Sequence, residues 1–202
     1  MSRKIWSYVL AVDTGFAPCI DDGVLSLACC KPLIRRNAKV GDYIFGFMPK
    51  KLTGFQQGRL SWMGVVSQII PFADYMKVYS GRSDAIYVSS EISPDGSTDL
   101  VHMGGEIHAD AKAQQRDIFG QKAIICEPFW YWGQKGIFMP ERIASKLVHY
   151  RQGHKKIEGA VSIISEIDEW TSTYLPGIYD LPRNPLFPNS IKKYDGPLLK
   201  FP

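Results

Sequence analysis

The sequence predicts a single α+β domain, in which a β-rich part comes first and the helices are concentrated in the C-terminal third. Aromatic and β-branched runs, which are typical of strands, recur over residues 1–135. Between residues 140 and 175 the apolar side chains recur every three or four positions instead, as on one face of a helix. Strands followed by helices are typical of α+β proteins and not of doubly wound parallel sheets.

Five runs in the first part are predicted to be strands. They are bounded by turn-forming residues, beginning with the D-T-G-F-A-P block that ends the first run. Gly64 lies inside the third run and predicts a bulge or a close approach of two backbones. The runs cover residues 6–12, 43–47, 60–70, 84–89 and 122–132.

Two helices are predicted after residue 140. Pro140 suits the first turn of a helix over residues 141–150. A second helix is predicted over residues 155–174, because its apolar side chains repeat at helical spacing.

The chain ends in a proline-rich segment. Six prolines lie between residues 176 and 202, and proline fixes φ and supplies no backbone donor. The expected organisation is therefore one domain over residues 1–175 and an extended tail, residues 176–202, packed on its surface. Binding of a protein partner by this tail is an alternative.

Composition excludes several classes of protein. Hydrophobic residues make up 45% of the chain and charged residues 22%, as in ordinary globular proteins. No apolar run is long enough to span a membrane. The N-terminus does not have the pattern of a signal peptide, and the four cysteines form no C-x-x-C pair. We therefore expect a cytoplasmic protein with reduced thiols.

Positive charge is concentrated between residues 31 and 60, which contain seven basic residues and one acidic residue. Such a cluster attracts phosphates, although a solvated basic face has the same pattern. The residues predicted to contact phosphate or nucleic acid are Lys31, Arg35, Arg36, Lys50, Lys51 and Arg59.

Catalytic candidates are few, because the phosphate-binding loop, the nucleophile elbow and the H-E-x-x-H motif are all absent from the sequence. Asp13 could act in acid–base chemistry or simply stabilise its turn, in which Thr14 and Phe16 are candidate pocket residues. His102 and His108 could transfer a proton, or could lie at an exposed hairpin tip. Their spacing matches no zinc pattern, so neither a metal nor a cofactor is predicted.

Two adjacent thiols precede Lys31. Cys29 and Cys30 would be reactive if exposed beside cations, but buried cysteines are more common, so cysteine catalysis is not expected.

Aromatic residues are the last candidates, since their rings can stack on bases. Trp62, Tyr131 and Trp132 are predicted to line a base-binding pocket. Alternate residues of a strand face opposite ways, so one face of the 129–132 cluster is expected in the core and the other in a groove.

Several blocks of the sequence resemble a known family. They are V-x-x-V-D-T-G-F-A-P-C-I, L-A-C-C-K-P-x-I-R-R, A-K-V-G-D-Y-I-F-G-F and F-W-Y-W-G. Together, from about residue 6 to residue 140, they resemble the second of the nucleotide-modification-associated domain families. Members occur in bacteria and phages near genes for DNA base modification, which implies recognition or processing of modified nucleotides.

A second resemblance concerns the fold. V-G-D-Y-I-F-G-F, a basic loop and W-M-G-V-V-S-Q-I-I-P-F-A-D-Y are similar to the core hairpin of PUA-like domains of the EVE type. Those domains are small β-barrels with flanking helices, and many hold a modified base in an aromatic pocket. The resemblance implies a PUA-like, EVE-like mixed β-barrel for this chain.

Three hypotheses about function follow. The first is a nucleic-acid-associated domain that recognises modified bases or nucleotides. DNA with modified bases is its expected partner. The second is an enzyme that acts on a nucleotide or modified base through Asp13, His102 or His108. The third is an interaction protein of a phage or defence assembly that docks through residues 176–202.

Overall fold

A mixed β-sheet of eight strands forms the centre of the computed structural model, which describes residues 3–49, 58–92, 98–148, 153–158, 161–182 and 196–202. The strands of this sheet are β1 (Lys4–Val9), β2 (Leu25–Leu27), β3 (Tyr43–Phe47), β4 (Arg59–Pro71), β7 (Lys122–Tyr131), β8 (Ile137–Phe138), β9 (His154–Glu158) and β10 (Gly177–Ile178). A separate hairpin consists of β5 (Tyr87–Ile92) and β6 (Thr98–His102).

Five helices lie among the described residues: α1 (Pro32–Asn37), α2 (Phe72–Val78), α3 (Ala111–Phe119), α4 (Glu141–Leu147) and α5 (Val161–Thr171). The α+β class is thus confirmed, but the expected concentration of helices in the C-terminal third is wrong. Three of these helices precede residue 140 and alternate with the strands. α1 and α2 are only six and seven residues long, and α3 is mostly polar, so few apolar residues mark these helices in the sequence. Each described helix is too short or too polar to cross a lipid bilayer.

The strand order along the sheet is β10-β7-β4-β3-β1-β9, with β2 also paired to β7 and β8 to β4. Most neighbours are antiparallel, but β1 and β3 run parallel, as do β7 and β10. In the described part of the chain the sheet stays open and does not close into a barrel. The PUA-like barrel implied by resemblance is therefore not confirmed.

The two faces of the sheet bury different sets of side chains, because successive residues of a strand point to opposite sides. On one face the core includes Ile5 and Trp130, covered by α4 and α5. On the other face the core includes Trp6 and Tyr8, covered by α1. We call these the α4–α5 face and the α1 face.

A third, smaller core lies beneath α2 and the β5–β6 hairpin. It contains Phe16, Cys29 and Tyr87, and so it connects the segments that precede and follow β2 to the hairpin. This packing holds the residues around positions 16 and 29 close to the part of the chain after β6.

The strand predictions agree best where the runs are long. The run over residues 60–70 forms β4, and the predicted bulge is observed as a shift in register between Gly64 and Val66. A Cβ atom at Gly64 would lie 2.6 Å from Cβ of Cys126, so the two backbones do approach closely there.

The helix predicted over residues 155–174 is wrong in its first part. Residues 154–158 form β9, which pairs antiparallel with β1, and among the described residues that follow, α5 covers Val161–Thr171. Pairing with the edge of the sheet satisfies the backbone of β1, which a helix could not do. The helix predicted over 141–150 ends at Leu147, and residues 149 and 150 lie outside the described part. The predicted turn at 93–97 also lies outside it.

Residues after 175 contribute to the sheet and to both of its cores. β10 runs parallel to β7, and Ile178 and Tyr179 are each 2% exposed. The backbone N–H of Leu199 donates to the carbonyl of Ile178 at 2.8 Å, and the ring of Phe201 packs on Tyr179. The described residues after 175 therefore stabilise the folded protein through strand pairing with β7 and through burial of Ile178 and Tyr179.

Replacement of Ile178 by alanine tests this contribution. Because Ile178 is buried in the core of the α1 face, Ile178→Ala should lower the free energy of unfolding by about 2–5 kcal/mol. Leu198→Ala is the matched control, since Leu198 is 43% exposed and the change should cost about 0.5 kcal/mol or less. Guanidinium denaturation of both variants measures the difference, and equal values would show that β10 is dispensable.

Candidate functional site

Two cavities meet at Cys30, Lys31 and His108. The inner cavity has a volume of about 300 Å³ and is walled mainly by the segment from Tyr8 to Ala17 and by residues 106–108. The outer cavity, also of about 300 Å³, lies between α1, α3 and the start of β9. A small molecule in either cavity would touch the same thiol, ammonium and imidazole groups.

The backbone at this junction is strained. Five non-glycine residues of the described chain have positive φ, and three of them are Cys30, Lys31 and His108, at 57°, 41° and 52°. Left-handed backbone costs about 1–2 kcal/mol for a residue with a Cβ atom. Strain of this kind persists only where surrounding contacts enforce it, and it is concentrated at functional sites. The junction is therefore the first place to look for chemistry.

Cys30 occupies the turn between β2 and α1. Cys29 before it is fully buried in the third core, and Pro32 after Lys31 begins α1 with a φ that suits the first helical residue. This leaves the Cys30 side chain half-buried at the junction of the cavities. The local sequence C-C-K-P thus directs one thiol into the core and the next toward solvent.

His108 stands between a thiol and a carboxylate. Its Nε2 lies 3.6 Å from Sγ of Cys30, and its Nδ1 donates to Oδ2 of Asp117 at 2.5 Å. The ring of Phe16 packs edge-on against the imidazole, with centroids 5.0 Å apart. A nucleophile, an imidazole and an acidic group that orients the imidazole are the three parts of the Cys–His and Ser–His–Asp type of site.

Asp117 is buried and receives hydrogen bonds from several parts of the fold. Besides His108, the backbone N–H of Cys30 donates to its Oδ1 at 2.7 Å, and the hydroxyl of Tyr87 donates to its Oδ2 at 3.1 Å. The guanidinium of Arg35 lies 3.9 Å away. One carboxylate thereby positions both the imidazole and the turn that carries the thiol.

Arg35 supports the same arrangement from beneath. It is fully buried and donates to the carbonyl oxygens of Cys30, Lys122 and Asp117 at 2.7, 2.8 and 2.5 Å. Gly120 has room for the guanidinium only because it lacks a side chain, since a Cβ there would lie 2.3 Å from Cζ of Arg35. Arg35 therefore joins α1, the end of α3 and the start of β7 and is not available to bind phosphate.

The charges of the pair follow from these contacts. The hydrogen bond to Asp117 is the main reason that the pKa of His108 is raised to about 10, and the contact with Cys30 raises it further against the effect of burial. Burial alone would raise the pKa of Asp117, but hydrogen bonds from His108 and Cys30 outweigh it and lower that pKa. At neutral pH His108 is therefore an imidazolium, and its Nε2 faces Sγ of Cys30 at 3.6 Å.

The other three cysteines have a different environment. Cys19, Cys29 and Cys126 are buried, and burial raises the pKa of each thiol. Buried thiols of this kind are inert. Cys30 is the half-buried member of the four and the one that faces an imidazole.

A metal ion is a second chemical possibility for part of this cluster. Ligand atoms of Cys29, His108 and Asp117 lie within 4.8 Å of one another, and these residue types bind zinc. Two contacts oppose this assignment. Sγ of Cys29 is protonated and donates to the carbonyl of Asp84 at 3.5 Å, and the guanidinium of Arg35 lies beside the carboxylate. The arrangement fits a hydrogen-bonded triad better than a cation site.

Comparison with known proteins places the chain in a family. A family model described as nucleotide modification associated domain 2 matches residues 2–82 and 79–187. The chain belongs to this family. The cysteine, the histidine and the aspartate of the site lie within the matched residues. No curated protein and no solved structure matches the chain.

Four of the residues predicted from the sequence lie together in this member of the nucleotide modification associated domain 2 family. Thr14, Phe16, Lys31 and His108 line the inner cavity. The ammonium of Lys31 lies 4.2 Å from the centre of the Tyr8 ring, and its pKa is lowered by burial. The D-T-G-F and C-K-P blocks therefore converge, although they are separated in sequence by β2 and its preceding turn.

Two acid–base candidates lie outside the cavity lining. Asp13 is 5% exposed, and the hydroxyl of Tyr131 donates to it at 2.6 Å. Nε2 of His102 contacts the carbonyl of Ile107 at 2.6 Å, which closes the loop before His108. Both side chains fix segments that border the inner cavity, so their contacts are those of positioning residues.

The predicted stacking aromatics are parts of the cores. Trp62, Tyr131 and Trp132 are each 0% exposed, Trp132 on the α4–α5 face and the other two on the α1 face. Alternation of the 129–132 cluster between the two faces is observed, and its half-buried member Phe129 lines a cavity of about 380 Å³ together with Pro128 and Ile178. Trp62, Tyr131 and Trp132, by contrast, are enclosed by other side chains. These rings are shielded from any base in the described structure.

The remaining basic candidates are dispersed. Arg36 is exposed on α1, with its guanidinium 4.7 Å from the centre of the Phe119 ring. Arg59 lies at the other end of the sheet, where it packs on Phe138 and donates to the carbonyl of Lys135. Lys50 and Lys51 lie outside the described residues.

Sequence reasoning missed Asp117 and dismissed Cys30. Asp117 lies in a polar helix whose pattern indicates a solvated surface, and Cys30 is 78 residues from His108. The usable signal was weak: one of two adjacent cysteines beside a cation, with His and Asp elsewhere in the chain.

Selective alkylation tests the site directly. We expect iodoacetamide to modify Cys30 before Cys19, Cys29 and Cys126, because only Cys30 is half-buried beside an imidazolium. Peptide mass spectrometry after a short exposure identifies the labelled residue. His108→Gln should slow labelling at Cys30 several-fold, and an unchanged rate in that variant would contradict the pairing.

The pH dependence of stability tests the hydrogen bond between His108 and Asp117. Since folding raises the pKa of His108 from 6.5 to about 10, its stabilising effect is complete below pH 6.5 and is lost as the pH rises toward 10. Urea unfolding of the wild type should therefore show a steeper fall in unfolding free energy over this range than His108→Gln. The two proteins share their other titrating groups, so parallel curves would contradict the raised pKa.

Proposed function

We propose that the protein is a thiol-dependent enzyme that acts on a nucleotide or a modified base. The observation that carries this proposal is the Cys30–His108–Asp117 arrangement at the junction of two cavities. Membership of the nucleotide modification associated domain 2 family supports the substrate class. The proposal follows the enzyme hypothesis drawn from the sequence, retains His108 and replaces Asp13 and His102 as the acid–base candidates.

The inner cavity suits a single nucleobase. Its volume of about 300 Å³ lies at the lower end of the range for small-ligand sites. Tyr8, Leu10 and Phe16 offer apolar walls, while Thr14 and Glu106 supply polar groups that could orient a base. A base held there would present its substituent to Sγ of Cys30, with Lys31 beside it as a partner for phosphate.

The chemistry that these groups support is group transfer to water. The Cys30 thiolate forms a bond to an electrophilic carbon of the substrate, the bond from that carbon to its leaving group breaks, and Nε2–H of His108 protonates the leaving group. Neutral His108 then takes a proton from water, the hydroxide displaces the thiolate from the carbon, and the site returns to its starting state. Asp117 holds the imidazole orientation throughout.

Turnover of defined nucleotides tests the proposal. The panel consists of deoxynucleoside monophosphates whose bases carry an ester, an amide or an exocyclic amine, and liquid chromatography with mass spectrometry detects the released group. Wild-type protein should release at least one of them, Cys30→Ala should release none, and His108→Gln should be slower by about 10²–10⁴-fold. Release that persists in Cys30→Ala would disprove the thiol mechanism.

A control separates chemistry from folding. Cys126→Ala removes a thiol that is buried in the core of the α1 face, a cluster that does not include His108. This variant should keep its turnover if it folds. Unfolding curves of all variants show whether the native state is intact.

A second candidate function is recognition of a modified base without chemistry, as the first sequence hypothesis holds. The base-sized cavity beside the cation Lys31 favours it. Binding of a panel member by both wild type and Cys30→Ala, without release by either, would support recognition against catalysis. For both candidates, the proposed setting is a bacterial or phage-infected cytoplasm that contains modified DNA. The third hypothesis, docking of a partner on residues 176–202, is supported by no contact among the described residues.

A further inference from the structure

A third cavity adjoins the site along α3. Its volume is about 510 Å³, and it is lined by Lys112, Arg116 and Phe119 together with Asp110 and Gln115. Arg116 also lines the outer cavity, which in turn shares Cys30, Lys31 and His108 with the inner cavity. The three cavities therefore adjoin in series, from the exposed face of α3 to the base-sized inner cavity.

Positive side chains line the third cavity and lie beside it, since Lys112 and Arg116 are part of its wall and Arg36 contacts its lining residue Phe119. We define the cationic strip as Arg36 on α1, Lys112 and Arg116 on α3, and Lys122 at the start of β7. α1 and α3 pack against each other, and Nζ of Lys122 donates to the carbonyl of Arg36 at 3.3 Å, so the four residues share one surface.

The positive charges of the strip are not neutralised by neighbouring carboxylates of the described chain. Within the described residues, no member of it forms an ion pair with a carboxylate. By contrast, the exposed cations Arg142 and Lys146 on α4 both pair with Glu166. Asp110 also lines the third cavity, and its side chain accepts from the backbone N–H of Ala113 as the N-cap of α3. Asp117 is next to Arg116 in sequence, but its buried carboxylate pairs with His108 and Arg35. Unpaired cations on one surface attract an anion of similar extent.

An exposed aromatic ring lies among these cations. Phe119 is 48% exposed, at the end of α3, and Arg36 stacks on one side of it. Exposed aromatics within a basic groove stack on the bases of single-stranded nucleic acids. In a duplex the base faces are already stacked, so this combination favours a single strand.

From these contacts we propose that the protein takes its substrate base from a single-stranded polynucleotide, whose phosphates follow the cationic strip while the target base occupies the inner cavity. This inference rests on the proposed function and specifies its substrate class. A mononucleotide carries one phosphate and needs no more than Lys31. Lys112 and Arg116 lie one helical turn apart, about 5–6 Å, and they suit a repeating line of phosphates.

The test measures binding apart from turnover. Fluorescent single-stranded DNA, single-stranded RNA and duplex DNA of the same sequence are titrated with Cys30→Ala protein, which cannot perform the proposed reaction, at several salt concentrations. A triple variant, Arg36→Ala/Lys112→Ala/Arg116→Ala, is made in the same background. The matched control is Arg142→Ala/Lys146→Ala, which removes charges from α4 on the opposite side of the sheet.

A single strand should bind best, and DNA and RNA arms identify which polymer is preferred. Because each phosphate contact contributes about 0.7 to the slope of log K against log salt, the triple variant should lower that slope by about 2. The control should leave it unchanged. Equal slopes in the triple variant and its parent, tighter binding of the duplex, or absence of binding to every strand would each overturn the inference.

Failure of this inference is distinguishable from failure of the proposed function. If mononucleotides are turned over in a Cys30-dependent manner while the triple variant binds strands normally, the thiol site stands and the strip has no role. If strand binding depends on the strip but turnover does not depend on Cys30, the thiol mechanism fails and the polynucleotide surface remains.

Discussion

Burial of the Asp117 carboxylate is the constraint on which the site depends. A charge removed from water is tolerated only when it is paired and hydrogen-bonded, and here its partners come from separate parts of the fold. The Cys30 turn, the loop that carries His108, Tyr87 of β5 and Arg35 of α1 all meet this one group. Two of these segments, the Cys30 turn and the loop that carries His108, have no regular secondary structure, and the common partner gives all four a fixed relative position.

The same constraint explains the strained backbone. Cys30 has a left-handed conformation while its N–H donates to Asp117 and its carbonyl accepts from Arg35, so both backbone groups are satisfied only in this geometry. The cost of the conformation is offset by two hydrogen bonds to charged side chains, which are stronger than neutral ones. The strain points the thiol toward the imidazole and away from the third core, where its neighbour Cys29 lies.

Sequence reasoning succeeded where the determinants of structure are local. β3, β4 and β7 are long runs of aromatic and β-branched residues, and the bulge at Gly64 needs only the close approach of one neighbouring backbone. It failed for β9, because Ile157 has helical spacing with Val161, while pairing with β1 depends on residues about 150 positions away.

The candidate site likewise depends on contacts between residues that are far apart in sequence. His108 was identified as a proton-transfer candidate, but its neighbours in sequence are not its partners in space. Asp117 is nine residues away on a polar helix, and the thiol comes from before α1. The basic residues of the segment 31–60 could not be told apart for a related reason, since only the fold shows that Arg35 is buried and Arg36 is exposed.

The path of the chain through the sheet has a consequence for its synthesis. β1 pairs with β9, which lies about 150 residues later in the chain, and β7 pairs with β10, which also follows it in sequence. Pairings of such long sequence separation make folding slow, and an emerging chain exposes unpaired strand edges until they form. During translation β1 therefore emerges with one edge unpaired, and we expect the nascent polypeptide to need protection by chaperones until β9 has been made.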